Sequence, residues 1–292
     1  MLNLIRADLY RITRPRGLRG SLWQYGLALI GVYAVVIGMM LFAKTQSYAE
    51  MTGGNVVEIP TDFASYTSYL SSMMLAIVSL CVSFMVAENA LQDFKFDYAK
   101  SVLSARAGRL SYFLGKVLFA GVVSAIVMVI AMATATAGAI IGGYTYAYVD
   151  GPLELAGWFA GFWLNTWAMA VITLVIVYAT RVSPVSYIGA FILYSGVVPT
   201  FLRGLAYSSG GVLSVLEPFA PAFETLAAWM PTSALSNLEA GGRLFFLSAA
   251  DVWGEASRAF VVAPGAQAIL TGVIWIAIAG AVVLAIARRR DI

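Results

Sequence analysis

The sequence predicts an all-α integral membrane protein with six transmembrane helices, and three observations carry that prediction. Hydrophobic residues make up 61% of the 292 residues and charged residues only 11%, against about a quarter charged in ordinary soluble domains. Uncharged apolar runs long enough to cross a bilayer recur along the chain. Lys and Arg fall mostly in alternate connections between those runs, as in a multi-pass protein. The mean hydropathy of +0.84 agrees, and residues 1–292 read as one transmembrane domain.

Leu2, Ile5, Leu9 and Ile12 recur at helical spacing, with Arg6, Arg11 and Arg14 off the stripe. This predicts an amphipathic helix on the membrane surface, within an N-terminal stretch 1–21. The same residues also read as a basic flank that orients the first span. Pro15 and Gly17 break the helix before that span, 22–43. Residues 44–64 are polar and predict a loop, followed by the second span at 65–87. Its opening turns crowd Tyr66, Tyr69 and Ser72 among other hydroxyls. Such residues form interfacial belts and help helices pack; lining of a substrate route, with Tyr66, Tyr69 and Ser72 as candidates, is the sharper reading.

The third span, 113–142, is rich in Ala, Gly and Thr, which suits close packing or tilt. Residues 144–152 predict a short loop. The fourth span, 155–179, carries Trp158, Trp163, Trp167 and one amide, Asn165, a further pathway candidate. The fifth, 185–205, is interrupted by Pro199, and the sixth covers 266–287. Between them, residues 206–265 are too polar to span twice. Gly and Pro pairs punctuate them, which predicts short surface helices or a re-entrant pair.

There is no His, and Cys81 is the only cysteine. Intrachain disulfides, a Ser-His-Asp triad and His-based metal sites are therefore excluded, and Cys81 reads as a small packing residue. No catalytic or metal site is expected. A phosphate-binding G-x-x-x-x-G-K-[ST] loop is also absent, so the chain is expected to bind no cofactor of its own. The N-terminal sequence lacks the short apolar region and cleavage site of a signal peptide.

Orientation follows from the basic residues. Fourteen of the 18 Lys and Arg lie in 1–21, 89–116, 181–184 and 288–292. The positive-inside rule then places both termini and residues 89–116 in the cytoplasm, and 206–265 outside.

Residues 89–116 carry Lys95, Lys100, Arg106, Arg109 and Lys116 against Asp93 and Asp97. Leu91, Phe94, Tyr98 and Val102 form one helical stripe flanked by Asp97 and Lys100. A short cytoplasmic helix within 89–116 is expected to dock on a soluble partner through that stripe; an interfacial helix resting on lipid is the plainer reading. No ionisable residue stands in the middle of a proposed span, so energy for transport is expected from another polypeptide. Arg106, Arg109 and Lys116 read as membrane-side anchors of the third span.

Several stretches resemble the six-span permease subunits of bacterial type-2 ATP-binding-cassette exporters. They are the opening Met1-Leu-Asn-Leu-Ile-Arg-Ala-Asp-Leu-Tyr-Arg11, then Ser101-Val-Leu-Ser-Ala-Arg106, Arg109-Leu-Ser-Tyr-Phe-Leu-Gly-Lys116, and the ending Arg290-Asp291-Ile292. The run Phe96-Asp97-Tyr98-Ala99-Lys100 departs from the Glu and Gly-Thr pair that many members show. The resemblance implies a multi-pass protein of the bacterial plasma membrane and a homo- or heterodimer of permeases. It also implies a separate nucleotide-binding subunit that holds ATP and Mg. Residues 89–104 are then the coupling helix, and this chain is not itself an enzyme. The apolar, aromatic-rich composition suggests an amphiphilic cargo such as a peptide, antibiotic or lipid, with no role for nucleic acid. The alternative is a membrane immunity or scaffold protein that sequesters a peptide without moving it.

Overall fold

The structure is a computed structural model that describes residues 2–14, 21–43, 62–74, 77–96, 108–207, 217–254 and 259–289. It is a helical membrane protein. Helix α1, Leu2–Thr13, precedes α2, Ser21–Ala43, and two helices, α3 Tyr66–Met74 and α4 Val78–Lys95, follow β1 at Asp62–Ser65. The long α5, Arg109–Gly142, leads through β2, Thr145–Tyr148, to α6, Pro152–Thr180. Next come α7, Ser183–Tyr194, and α8, Val197–Tyr207. Short helices α9, Ala220–Ala228, α10, Pro231–Asn237, a 3₁₀ segment Leu238–Phe246 and α11, Ala249–Trp253, lead to α12, Pro264–Arg289. Four helices (α2, α5, α6 and α12) have the length and apolarity to cross a membrane alone, and the total reaches six if each bent pair, α3–α4 and α7–α8, is one span.

Small residues set the closest helix approach. A Cβ on Gly272 of α12 would lie 2.6 Å from the Leu164 side chain of α6. In lipid, where apolar surface gains little from burial against another helix, such backbone proximity is a main source of association. Gly143 ends α5 in the left-handed region at φ 63°, and Tyr144 N–H returns to the Ala139 carbonyl at 3.1 Å, satisfying carbonyls the helix leaves open.

The second and fifth apolar runs each differ from a straight span. The α7–α8 pair bends by 55°, with Gly196 at φ 70°. Pro199 lacks the N–H that would bond the carbonyl four residues back, so the break falls at Ser195–Gly196 and Pro199 sits in the first turn of α8. The α3–α4 pair bends by 47°, and α4 continues without a break to Lys95. Residues 89–95 are therefore the end of this helix rather than the start of a separate one.

The loops expected at 44–64 and 144–152 meet in a two-stranded parallel sheet, with Asp62 opposite Thr145 and Ser65 opposite Tyr148. This one short sheet joins two connections of an otherwise helical membrane protein. The hydroxyl-rich start of the second run is what ties this end together. Asp150 accepts from Thr67 N–H at 2.8 Å and from Thr67 Oγ1 at 2.7 Å, and Thr67 Oγ1 accepts from Gly242 N–H at 2.7 Å. Ser71 Oγ donates to the Leu238 carbonyl at 2.6 Å and accepts from Trp158 Nε1 at 2.7 Å.

Gly241 and Gly242 let the 3₁₀ segment enter that knot. Gly241 stands at φ 71°, and a Cβ on Gly242 would lie 2.5 Å from Glu154 Cβ. Leu235, Leu238 and Leu244 are buried. The described part of 206–265 is accordingly a set of short helices of which α10 and the 3₁₀ segment pack against the bundle.

Candidate functional site

At the opposite end of the bundle, two carboxylates and two cations from three helices form one cluster. Lys116 of α5 is 2% exposed. Its Nζ donates to Asp8 Oδ1 at 2.8 Å and Asn89 Oδ1 at 2.8 Å, and lies 2.5 Å from Asp93 Oδ2. Arg11 of α1 donates to Asp93 Oδ1 at 2.5 Å and to Asp8 Oδ1 at 3.3 Å. Tyr112, one turn before Lys116, donates to Asp93 Oδ2 at 2.5 Å.

Helical spacing makes the arrangement. Asp8 and Arg11 are three apart on α1, Asn89 and Asp93 four apart on α4, Tyr112 and Lys116 four apart on α5, so each pair shares a face. Leu4 closes the seam beside Gly115, where a Cβ would lie 3.7 Å from Leu4 Cβ. The four charges balance, which is the condition under which buried ions persist. Burial pushes the Asp8 carboxyl above its ordinary value against the pull of the Lys116 ammonium.

The cluster corrects two expectations. Lys116 does not reach toward headgroups as an anchor: its ammonium is enclosed. Helix α1 is not a surface stripe of Leu2, Ile5, Leu9 and Ile12 alone. Leu2 is 68% exposed, whereas Asp8 and Ile12 are buried; Ile5 is half-buried and Leu9 packs at the core edge. The buried face of α1 carries an acid, Asp8, one turn before the aliphatic Ile12.

The proposed docking stripe divides. Leu91 and Phe94 pack against the core, with the Phe94 ring edge-on to Tyr178 at 5.7 Å and under the Arg181 guanidinium at 5.0 Å. Phe96, which the stripe omitted, is 69% exposed. Asp97, Tyr98, Lys100 and Val102 lie outside the described residues, as do Arg106 and Arg290–Ile292.

The pathway candidates do not converge. Tyr69 is fully buried and donates to the Ala135 carbonyl at 2.7 Å. Tyr66 pairs its hydroxyl with Thr136 Oγ1 at 2.6 Å, and Ser72 bonds its own helix at the Tyr69 carbonyl, 2.8 Å away. Asn165, also buried, donates to the Gly161 carbonyl at 2.8 Å and the Ala268 carbonyl at 2.7 Å, joining α6 to α12. Tyr66, Tyr69 and Asn165 join neighbouring helices, whereas the Ser72 bond stays within its own.

The sequence does hold a signal for the cluster. Asp8 interrupts an apolar face of α1, and Lys116 stands among apolar residues inside a long helix; opposite charges in such places must find each other. Among the described residues no group of three or more His, Cys, Asp or Glu is arranged to hold a metal ion. No family model, curated protein or solved structure matches this chain.

Proposed function

We propose that this chain is the membrane-spanning subunit of an ATP-driven exporter, with six spans, both termini in the cytoplasm, and ATP hydrolysis in a separate soluble subunit. The observation that supports it best is the ion cluster between α1, the end of α4 and the start of α5. It fastens α1, the end of α4 and the start of α5 to one another, so force applied between α4 and α5 moves three helices as one body. The basic residues at this face fit a cytoplasmic location. An exposed aromatic, Phe96, stands where α4 leaves the bundle and suits insertion into a partner's pocket.

Purification of the tagged chain from its source cell tests this reading. A soluble ATPase is expected to accompany it, and Phe96→Ala to reduce that association while leaving thermal stability unchanged. Recovery of the chain with no ATPase, under conditions that preserve other membrane complexes, would contradict it.

A further inference from the structure

Away from the ion cluster, a cavity of about 290 Å³ lies where α8 meets α9, α10 and α11, with Arg203, Tyr207, Glu224, Asn237, Val252 and Trp253 on its wall. Helices α8 and α9 pack against each other. Arg203 and Tyr207 are four residues apart on α8 and share the face that borders the cavity. Tyr207 donates its hydroxyl to Glu224 Oε1 at 3.1 Å. The Arg203 guanidinium lies over the Trp253 ring, 5.9 Å from its centroid. Four helices thus build one concave site from a cation, an anion, an amide and two aromatic rings, groups that orient a small ligand.

The two charges stand at different depths. Arg203 and Tyr207 are exposed, whereas Glu224 is buried, so the cation is at the mouth and the carboxylate at the floor. A guanidinium stacked on an indole uses its face for the ring and keeps its N–H edge for an oxyanion. A carboxylate accepts at about four lone-pair positions, so the Tyr207 hydroxyl is one of several donors that Glu224 can take. A singly charged ligand meets one favourable and one unfavourable charge on this wall. A ligand carrying both signs meets two favourable ones.

Volume sets the size of the occupant. An apolar cavity of about 150 Å³ holds a benzene molecule, so this one takes roughly a dozen non-hydrogen atoms. We infer that the cavity binds a small zwitterion, its ammonium inserted toward Glu224 and its carboxylate or phosphate held at the mouth by Arg203 and Asn237. A free dipeptide and the phosphoethanolamine head of a lipid share that chemistry and that size. That the site faces the outside of the cell rests on the function proposed above; the site itself does not.

The test is calorimetric titration of the full chain in dodecyl maltoside with two zwitterions, glycyl-leucine and glycerophosphoethanolamine. The singly charged comparisons are N-acetyl-glycyl-leucine, an anion, and glycyl-leucinamide, a cation. At least one zwitterion is expected to bind about tenfold or more tightly than either singly charged compound. Glu224→Gln should remove about tenfold of that affinity, and Arg203→Gln less, because its charge lies nearer to water. Val252→Trp fills the cavity and should abolish binding, and Glu239→Gln, an exposed position off the cavity wall, should change nothing. Tighter binding of the dipeptide assigns a free solute, and tighter binding of glycerophosphoethanolamine assigns a lipid head.

Binding of both zwitterions no tighter than that of the singly charged compounds overturns the inference, and that comparison needs no substitution. So does the absence of any binding at millimolar concentration, or full binding by a Glu224→Gln or Val252→Trp variant that keeps the wild-type melting temperature. The chain is titrated without an ATPase. Failure here leaves the exporter reading standing, and a chain that recovers no ATPase leaves the site standing.

Discussion

Lys116 Nζ and Asp8 Oδ1 lie 2.8 Å apart in the interior although 108 residues separate them in sequence. The contact joins the first helix to the base of α5, and the second carboxylate, Asp93, brings in α4. Three helices thereby share one charge-balanced core, and its disruption has a defined pattern.

Lys116→Met leaves Asp8 and Asp93 facing one another with Arg11 as the only cation of the four. Removing one partner of a buried ion pair costs roughly 3–5 kcal/mol. The double variant Asp8→Leu/Lys116→Met keeps Arg11 with Asp93, one cation to one anion, and is expected to be more stable than Lys116→Met alone. Thermal unfolding in detergent checks the order.

The same carboxylate gives a pH dependence with a fixed sign. The Asp8 carboxyl is raised from 3.8 by burial, so the folded state holds this proton more tightly than the unfolded state does. Stability from this group is present at low pH and falls as pH rises through the folded value. The melting temperature of the wild type minus that of Asp8→Asn should therefore decrease on going upward from about pH 4. A difference that grows with pH would reverse the sign assigned to the burial of Asp8.

Phe94 and Phe96 should separate stability from association. Phe94→Ala removes a half-buried ring that meets Tyr178 and Arg181, and should cost about 2 kcal/mol. Phe96→Ala removes an exposed ring and should leave the melting temperature within the error of measurement. Equal stability losses in the two variants would place both rings in the packed body.

At the far end, Gly242→Ala drives a Cβ to 2.5 Å from Glu154 Cβ and 2.9 Å from the Glu154 carbonyl carbon. The expected cost is about 1–3 kcal/mol. Gly241→Ala adds the penalty of a left-handed backbone to a similar clash and should be worse. Unchanged unfolding of either variant would show that the glycine pair does not thread the knot as described.

Much of the fold was legible in the sequence because lipid imposes long apolar runs. The first, third, fourth and sixth spans match α2, α5, α6 and α12 to within a few residues at most ends. The bends were less so. Pro199 marked the fifth run as interrupted, but its effect falls at the carbonyl it leaves unbonded, before the proline itself. The parallel pairing of Asp62–Ser65 with Thr145–Tyr148 was invisible, since four-residue strands more than eighty residues apart leave no periodic trace. The ion cluster was half legible. Asp8 and Lys116 are out of place on their helices, yet which charge meets which depends on how α1, α4 and α5 pack. Helical spacing also grouped Phe94 with Tyr98, whereas Phe94 packs under Arg181 and Phe96 is the exposed aromatic among the described residues of this segment.

The most direct test of the exporter reading is a cross-link from position 96. A single cysteine at Phe96→Cys, on a Cys81→Ser background, is charged with a photoreactive maleimide in source-cell membranes, and adducts are identified by mass spectrometry. The account predicts an adduct with a soluble protein that carries a phosphate-binding loop, and none from Val149→Cys at the other end of the bundle. No such adduct from position 96, or the same adduct from both positions, would contradict it.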